Sequence, residues 1–336
     1  MDLLTCLSAF FVINLHMTLT VFNFRNDPNW FYSLFIQSFF RWPVPIFFMI
    51  SGANLLGYRE RYSTKEFFKK RFHRVLIPLI IWSLLWVPYR IYRGWMVHPT
   101  IKTIIESFIY NDLQNVYWFF YAIIGIYLCI PILSIIAKKE NKKAIQYLML
   151  LCLIQFGIIP FVFGIFNKPI PSYTNLPIVG QFLFYVLSGW YMSTFKPTKN
   201  QLKLIYISGF ICAILTFLGT YYFSLADNHL IQLFFDYNSI FTCIVSVSVF
   251  AFFQSIDWEK LINPIVTKLI ISLSSFSFGI YIVHEFFIYQ ASVIFMINLD
   301  DYHWLFMIVG PLIVYLISAI CVFFIKKIPF GKHIIP

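Results

Sequence analysis

Charge is scarce in this chain. Of 336 residues, 12% are Asp, Glu, Lys or Arg, while 60% are hydrophobic and 21% aromatic. An ordinary soluble domain carries about 25% charged residues, so the composition excludes one. Cysteine pairing is also missing: Cys6, Cys129, Cys152, Cys212, Cys243 and Cys321 all fall in apolar runs and show no C-x-x-C spacing. Neither a disulfide framework nor a zinc site is expected, and no metal is. The N-terminus lacks a basic n-region and a small-residue cleavage site, and its apolar run is too long for a signal peptide, so it is read as a retained first span. No Pro/Ser/Gly-rich linker, internal repeat or leftover soluble stretch appears. Residues 1–336 are expected to form one integral membrane domain.

What remains is a succession of long apolar runs. At about 20 apolar residues per helix, ten spans are expected, at 3–24, 33–56, 74–94, 116–136, 144–165, 178–195, 202–223, 234–254, 268–295 and 305–325. Residues 62–73 and 99–111 alternate basic and apolar faces, as interfacial helices do. The fold class is thus an all-α integral membrane protein. The net charge of +11 does not point to nucleic acid, because the cations sit in loops between apolar runs, where they set topology. With a cytoplasmic N-terminus, nineteen Lys/Arg fall on the cytoplasmic side and five (Arg25, Arg90, Arg93, Lys102, Lys168) on the outer side. That bias places both termini in the cytoplasm.

Three spans carry ionisable groups at a similar expected depth. His16 lies eight residues below the outer end of span one, Arg41 eight below that of span two, and His284-Glu285 about ten below that of span nine. An isolated intramembrane histidine is commonly a helix–helix hydrogen bond. Histidine, arginine and a His-Glu pair at one level point instead to a polar cavity, where a carboxylate can orient a neutral imidazole for proton transfer. On the opposite side, Arg59, Arg61, Lys65, Lys69, Lys70, Arg71 and Arg74 crowd into sixteen residues. Such a patch binds anionic lipid heads as a matter of topology. Arg71-x-x-Arg74, two guanidiniums expected on one helix face, also suits a pyrophosphate. Trp118 and Tyr127 read as interfacial or packing aromatics, with sugar-ring stacking a further task for Trp118. His73, His98, His229, His303 and His333 lie in loops or at interfaces and are assigned nothing. Asp227, Asp236, Asp300 and Asp301 read as solvated loop charges at outer ends.

These residues carry a resemblance. The run Arg41-x-x-Val44-Pro45-Ile46-Phe47-Phe48-Met49-Ile50-Ser51-Gly52 resembles the second-span signature of the membrane-bound acyltransferase family 3. So do Arg71-x-x-Arg74, the span opening at Trp118-Phe119-Phe120 and continuing to Tyr127 and Pro131, and Phe278-Gly279-Ile280-Tyr281-x-x-His284. The likeness covers essentially the whole chain in order, and it is to the stand-alone members, which O-acylate envelope glycans. It implies a multi-pass protein of the bacterial cell membrane that moves an acyl group, usually acetyl, from cytoplasmic acyl-CoA. The acceptor implied is a hydroxyl of a cell-surface polysaccharide or its lipid-linked precursor. It further implies that His16, within Asp-x-x-Arg-x10-His, is the base. Arg41, His284 and Glu285 would complete the catalytic group, with Arg71, Arg74, Lys69 and Lys70 on the donor, and Trp118 and Tyr281 on the acceptor.

Asp2 and His16 hold the family spacing, but position 5 is threonine where the family has arginine, and a hydroxyl cannot replace that charge. Eleven helical residues make three turns plus about 20°, so Thr5 and His16 share a face about 16 Å apart. Two other readings stay open. Ten spans around a polar midsection also fit a polysaccharide or lipid-linked-sugar transporter, which would be expected to show paired inverted repeats. A non-catalytic relative fits the threonine at position 5.

Overall fold

The computed structural model describes residues 1–296 and 303–336, and among them every regular element is helical. Asp300 and Asp301 lie outside the described residues. Among the described residues, seven helical segments are long and apolar enough to cross a membrane: Pro28–Glu60, Thr64–Tyr92, Asn115–Ile136, Lys139–Ile165, Lys199–Asp227, Pro264–Ile294 and Trp304–Lys327. Two further apolar helices are shorter, Asp2–His16 and Ile240–Ser255. The expected span at 178–195 is helical only over Leu183–Thr194. The ten expected spans therefore become seven full-length segments and three short ones.

The first two expected spans are each divided, and the divisions fall at ionisable residues. Helix α1 (Asp2–His16) stops at His16 and is followed by a 3-10 turn, Leu19–Phe22. Carbonyls at its end would be orphaned in an apolar surrounding, at a cost of several kcal/mol each. Here Thr18 Oγ1 donates to the Asn14 carbonyl (2.9 Å) and the Leu15 carbonyl (3.1 Å), and Gln37 Nε2 donates to Leu15 (2.8 Å). Helix α2 (Pro28–Phe39) starts on an Asp27 cap that accepts from Trp30 N–H at 2.7 Å, with proline in the first turn. It ends at Phe39, and α3 (Pro43–Leu55) begins four residues later. Pro43 and Pro45 have no N–H to extend the ladder backward, so the chain breaks before them and Arg41 sits in the break.

The expected interfacial helix at 62–73 is not separate. Helix α4 (Thr64–Arg71) runs through a π-turn, Phe72–Leu76, into α5 (Ile77–Tyr92) as one continuous segment. The exposed helix α6 (Ile101–Ile109) lies within the second expected interfacial stretch and buries no side chain. Beyond α7 (Trp118–Ile136), α8 (Lys142–Leu153) passes through a second π-turn, Ile154–Ile158, into α9 (Ile159–Ile165). Both π-turns end two residues before a proline, Pro78 and Pro160. Proline removes a donor and crowds the carbonyl four residues back, so the ladder widens just upstream.

Helix α10 (Leu183–Thr194) packs directly against α3. A Cβ on Gly52 would lie 1.9 Å from the Val186 carbonyl oxygen, and one on Gly189 would lie 1.9 Å from that of Met49. Two reciprocal glycines thus let the backbones touch, as close helix pairs in lipid require. Helix α11 (Lys199–Asp227) pairs with α12 (Ile240–Ser255) and with α2. After the single turn of α13 (Trp258–Leu261), α14 (Pro264–Ile294) packs on α1 and on α15 (Trp304–Lys327). The short α16 (Gly331–Ile334) tucks under α5, where Trp82 Nε1 donates to the Ile334 carbonyl at 3.1 Å. Helix α1 contacts α3, α14 and α15. In its most apolar stretch the Pro28–Glu60 segment has 67% of its residues buried, against 17% to 39% in the other six, and Gln37, Ser38 and Trp42 around its break are all buried.

Candidate functional site

The two helix breaks open toward each other and toward α14. Among the described residues, one ring nitrogen of His16, one of His284 and one carboxylate oxygen of Glu285 lie within 4.8 Å of one another. His16 Nδ1 stands 3.5 Å from Glu285 Oε1, and the two imidazole centroids are 5.2 Å apart. Glu285 is 7% exposed and His16 is 22% exposed, so the histidine is the member of the pair that a small molecule can reach. A carboxylate at Nδ1 favours the tautomer with its proton there, leaving Nε2 with a lone pair. His284 Nδ1 meets the Tyr281 carbonyl at 2.6 Å. The carbonyl can only accept, so the proton is on Nδ1 and Nε2 is the acceptor nitrogen. That Nε2 is buried and makes no hydrogen bond among the described residues.

The rotation of α14 that presents these groups is set by two tyrosines. Tyr117 donates its hydroxyl to the Ile282 carbonyl at 3.0 Å and accepts from Trp86 Nε1 at 3.1 Å. Tyr281 returns the favour, its hydroxyl donating to the Val116 carbonyl. Tyr281, carried over as an acceptor contact, thus has its polar atom engaged within the fold, and its ring lies between Phe119, Phe120 and His284. Trp118 is half-buried against Phe182 and Tyr237 rather than open on the surface.

Arg41 closes the cluster. Its guanidinium donates to Gln37 Oε1 and stacks 4.3 Å from the Tyr237 ring centroid and 5.1 Å from that of Phe235. Gln37 is buried and uses its other end on Leu15 and on Thr18 Oγ1 (2.9 Å). One amide therefore ties the end of α1 to the break that carries Arg41. Two imidazoles and a carboxylate could in principle hold a divalent ion with water as a fourth ligand. Arg41 works against that, because Gln37 holds its positive charge at the same helix end.

Below this cluster a cavity of about 200 Å³ runs between α1, α3, α7 and α14. Thr5 and Val12 line it from α1, and Ser274, Ser277 and Tyr281 from α14. Ser274 and Tyr281 are seven residues apart, so it extends about 10 Å along the helix and ends one turn below His284. Pockets for whole drug-sized ligands run to about 300–1,000 Å³, so this one suits a single linear arm.

The basic patch is more divided than the sequence suggests. Arg59 donates to Ser134 Oγ (2.8 Å) and the Pro131 carbonyl (3.1 Å), pinning the end of α7, and Arg61 donates to the Asn54 carbonyl. Lys70 pairs with Glu66 at 2.8 Å and lies over the Tyr62 ring. Arg71 and Arg74 do not act alike. Arg71 stacks on Phe67 and Tyr127, with its Nε buried and unbonded, whereas Arg74 falls within the π-turn and is exposed. Lys69 and Arg71 line a second cavity of about 390 Å³ with Tyr127 and Phe72.

Sequence reasoning overlooked Gln37, Tyr117, Tyr237 and Gly189. Gln37 had one readable signal, its position four residues before an intramembrane arginine. No curated protein and no solved structure matches this chain. The family model described as an acyltransferase domain matches residues 1–326, and the chain therefore belongs to acyltransferase family 3, a family of membrane acyl-transfer proteins.

Proposed function

We propose that this protein is a membrane O-acyltransferase. It takes an acyl group, acetyl in the simplest case, from acyl-CoA at the basic end and passes it to a glycan hydroxyl at the opposite face. The basic end, with both termini, faces the cytoplasm of a bacterial cell. Arg71 and Lys69, in the cavity with Tyr127, take the phosphates, and Arg74 and Lys70 add charge at its rim. The donor's linear arm enters the Thr5-lined cavity and brings the thioester up to the level of His284.

His16 is the base in this reading. Its Nε2 accepts the proton of the acceptor hydroxyl while the oxygen attacks the thioester carbonyl. Glu285 at Nδ1 fixes the tautomer and stabilises the imidazolium that forms, the part a carboxylate plays in a triad. Arg41, fixed by Gln37 and by stacking, faces the oxyanion of the tetrahedral intermediate; preorganised donors of this kind contribute about 2.7–4 kcal/mol. Collapse breaks the C–S bond, and the imidazolium returns its proton to the departing thiolate. An ester and free CoA leave, and no metal is needed.

The observation that carries the proposal is the His16–Glu285 pair, exposed on the histidine side, above a narrow cavity that reaches from Thr5. Its test is mass spectrometry of surface glycans from the native strain and from one lacking this gene. Acyl esters should be missing from the deletion strain and return with the gene. Unchanged ester content, or a loss of the glycan itself, overturns the proposal.

A further inference from the structure

The chain between α9 and α10 does not stay at the end of the helix assembly. Gln155 lies in the second π-turn, ten residues before the end of α9, which is about 15 Å along the helix. Its side chain is buried, and both ends of its amide hold residues beyond α9. Oε1 accepts from Leu176 N–H at 2.8 Å, and Nε2 donates to Asn175 Oδ1 at 3.2 Å. The chain leaving α9 therefore folds back to the depth of the π-turn before α10 begins. Irregular backbone at such depth does not face lipid; it is buried in protein or lines a water-filled cavity.

Two loops bring aromatic rings together beside this return. Gln181 is exposed, whereas the next residue, Phe182, is buried and takes a φ of 64°. A bulky residue keeps that left-handed conformation only where its surroundings hold it, commonly at a functional site. Here the Phe182 ring stacks on Phe48 (centroids 4.6 Å apart, planes 8° apart) and lies 5.7 Å from Trp118. Trp118 in turn lies 5.5 Å from Tyr237, the ring over Arg41. In the Tyr237 loop, Asp236 is exposed and Phe235 is buried. Each loop thus turns a polar residue outward and rings inward, in an unbroken row that ends on Arg41.

The same π-turn supports the second loop. A Cβ on Gly157 would lie 3.4 Å from the Asn238 carbonyl oxygen and from Ile240 N, so the Tyr237 loop rests on the turn. Tyr185, in the first turn of α10, donates its hydroxyl to the Tyr237 carbonyl. A π-turn is a costly local feature that recurs where function needs it. This one carries no member of the His16 cluster; what it does is seat two loops.

We propose that Gln155 is a positioning residue: it holds Phe182, Trp118 and Tyr237 as one cover over Arg41, and the cover keeps water from the reacting carbonyl. The water barrier rests on the acyl-transfer reading, whereas the coupling of the two loops does not.

Hydrogen exchange, followed by mass spectrometry on the purified full-length protein in detergent, tests the coupling. Q155L should speed exchange across 175–182 by about ten-fold or more, as the loss of both amide contacts implies. Exchange across 236–239 should rise with it, while α14 stays unchanged. Faster exchange across 175–182 alone overturns the single cover. N175A, at an exposed position, removes only the longer contact and should give the same pattern in smaller measure, so the test stands if Q155L does not fold.

Thiol release from acetyl-CoA, with no acceptor present, tests the barrier. Water then attacks the thioester carbonyl in place of the sugar hydroxyl, the C–S bond breaks, and acetate and free CoA leave. Q155L should release thiol several-fold faster than wild type while forming fewer glycan esters, a rise that a damaged fold would not give. Release no faster than wild type, in a protein whose gene still supports glycan esters, overturns the barrier alone. Glycan esters that do not depend on the gene remove the acyl-transfer reading and the barrier together, and the exchange data then decide the coupling.

Discussion

At the helix breaks, Arg41 is held between fixed partners, with Gln37 accepting from its guanidinium and Tyr237 and Phe235 on its face. At the basic end, the cations are divided among tasks. Arg59 and Arg61 hold helix ends, Lys70 pairs on the surface with Glu66, Arg71 is wedged on aromatic rings, and Arg74 stands in the open. The same residue type is therefore locked between partners in one place and spread over several tasks in the other. The difference is desolvation. A half-buried cation bonded to a buried partner cannot be exchanged without orphaning that partner, whereas an exposed one is screened and its neighbours share the load.

The largest way to break this contrast is to move the helix that follows Arg41. Gly189→Leu sets a side chain where even a Cβ lies 1.9 Å from the Met49 carbonyl oxygen, so α10 must separate from α3. We expect a cost at or above the upper end of the about 1–3 kcal/mol typical of overpacking. The monodisperse, folded fraction after detergent extraction should fall sharply; an unchanged fraction would show that the two backbones are not in contact.

Gln37→Leu comes next. It removes the donors to Leu15 and Thr18 and the acceptor for Arg41, each loss worth about 1–3 kcal/mol where the group stays buried. Turnover should drop by one to two orders of magnitude, on the order of that energy. Apparent affinity for acyl-CoA should hardly change, since the donor cations are at the other end. A shift confined to donor affinity would mean that the two regions are not independent.

The basic end should respond unequally. Arg71→Gln should raise the apparent KM for acyl-CoA through loss of a charge-assisted contact of about 1.5–3 kcal/mol. Arg74→Gln, at an exposed position, should cost less than about 1 kcal/mol and vanish in high salt. Kinetics at two ionic strengths separate them, and equal effects would restore the sequence-based picture of a matched pair.

Thr5→Arg should have the smallest effect. It returns a cation to the foot of the 200 Å³ cavity near the start of α1, where a long side chain can reach toward the interface. Donor binding should tighten modestly by calorimetry. No change would mean that the donor does not pass Thr5.

Much of the site was legible because ionisable residues in apolar runs are conspicuous. His16, Arg41, His284 and Glu285 stand out by type alone, and their shared depth foretold that they would meet. The helix breaks were half legible. Pro43 and Pro45 mark the second, but nothing of the kind follows His16, and the apolar run continues through Leu19 to Phe22. Only the cap made by Thr18 and Gln37 ends that helix, and Gln37 lies nineteen positions from Thr18. Tyr237 reaches Arg41 from a loop almost two hundred residues away, a contact for which one sequence offers no pattern. The π-turn at Phe72–Leu76 sets Arg74 in the open while Arg71 stays half-buried on its rings, and Pro78 was there to signal that turn. Gly52 was visible as part of a motif, while its counterpart Gly189 acquires meaning only when the two helices are seen to touch.

The central claim is that His16 is the base of an acyl transfer across the membrane. The most direct measurement is the acyl-ester content of surface glycans in the deletion strain carrying either wild type or His16→Ala at equal membrane levels. Loss of a positioned base costs about 10²–10⁴-fold. The account predicts esters restored by wild type and absent with His16→Ala; esters restored equally by both would contradict it.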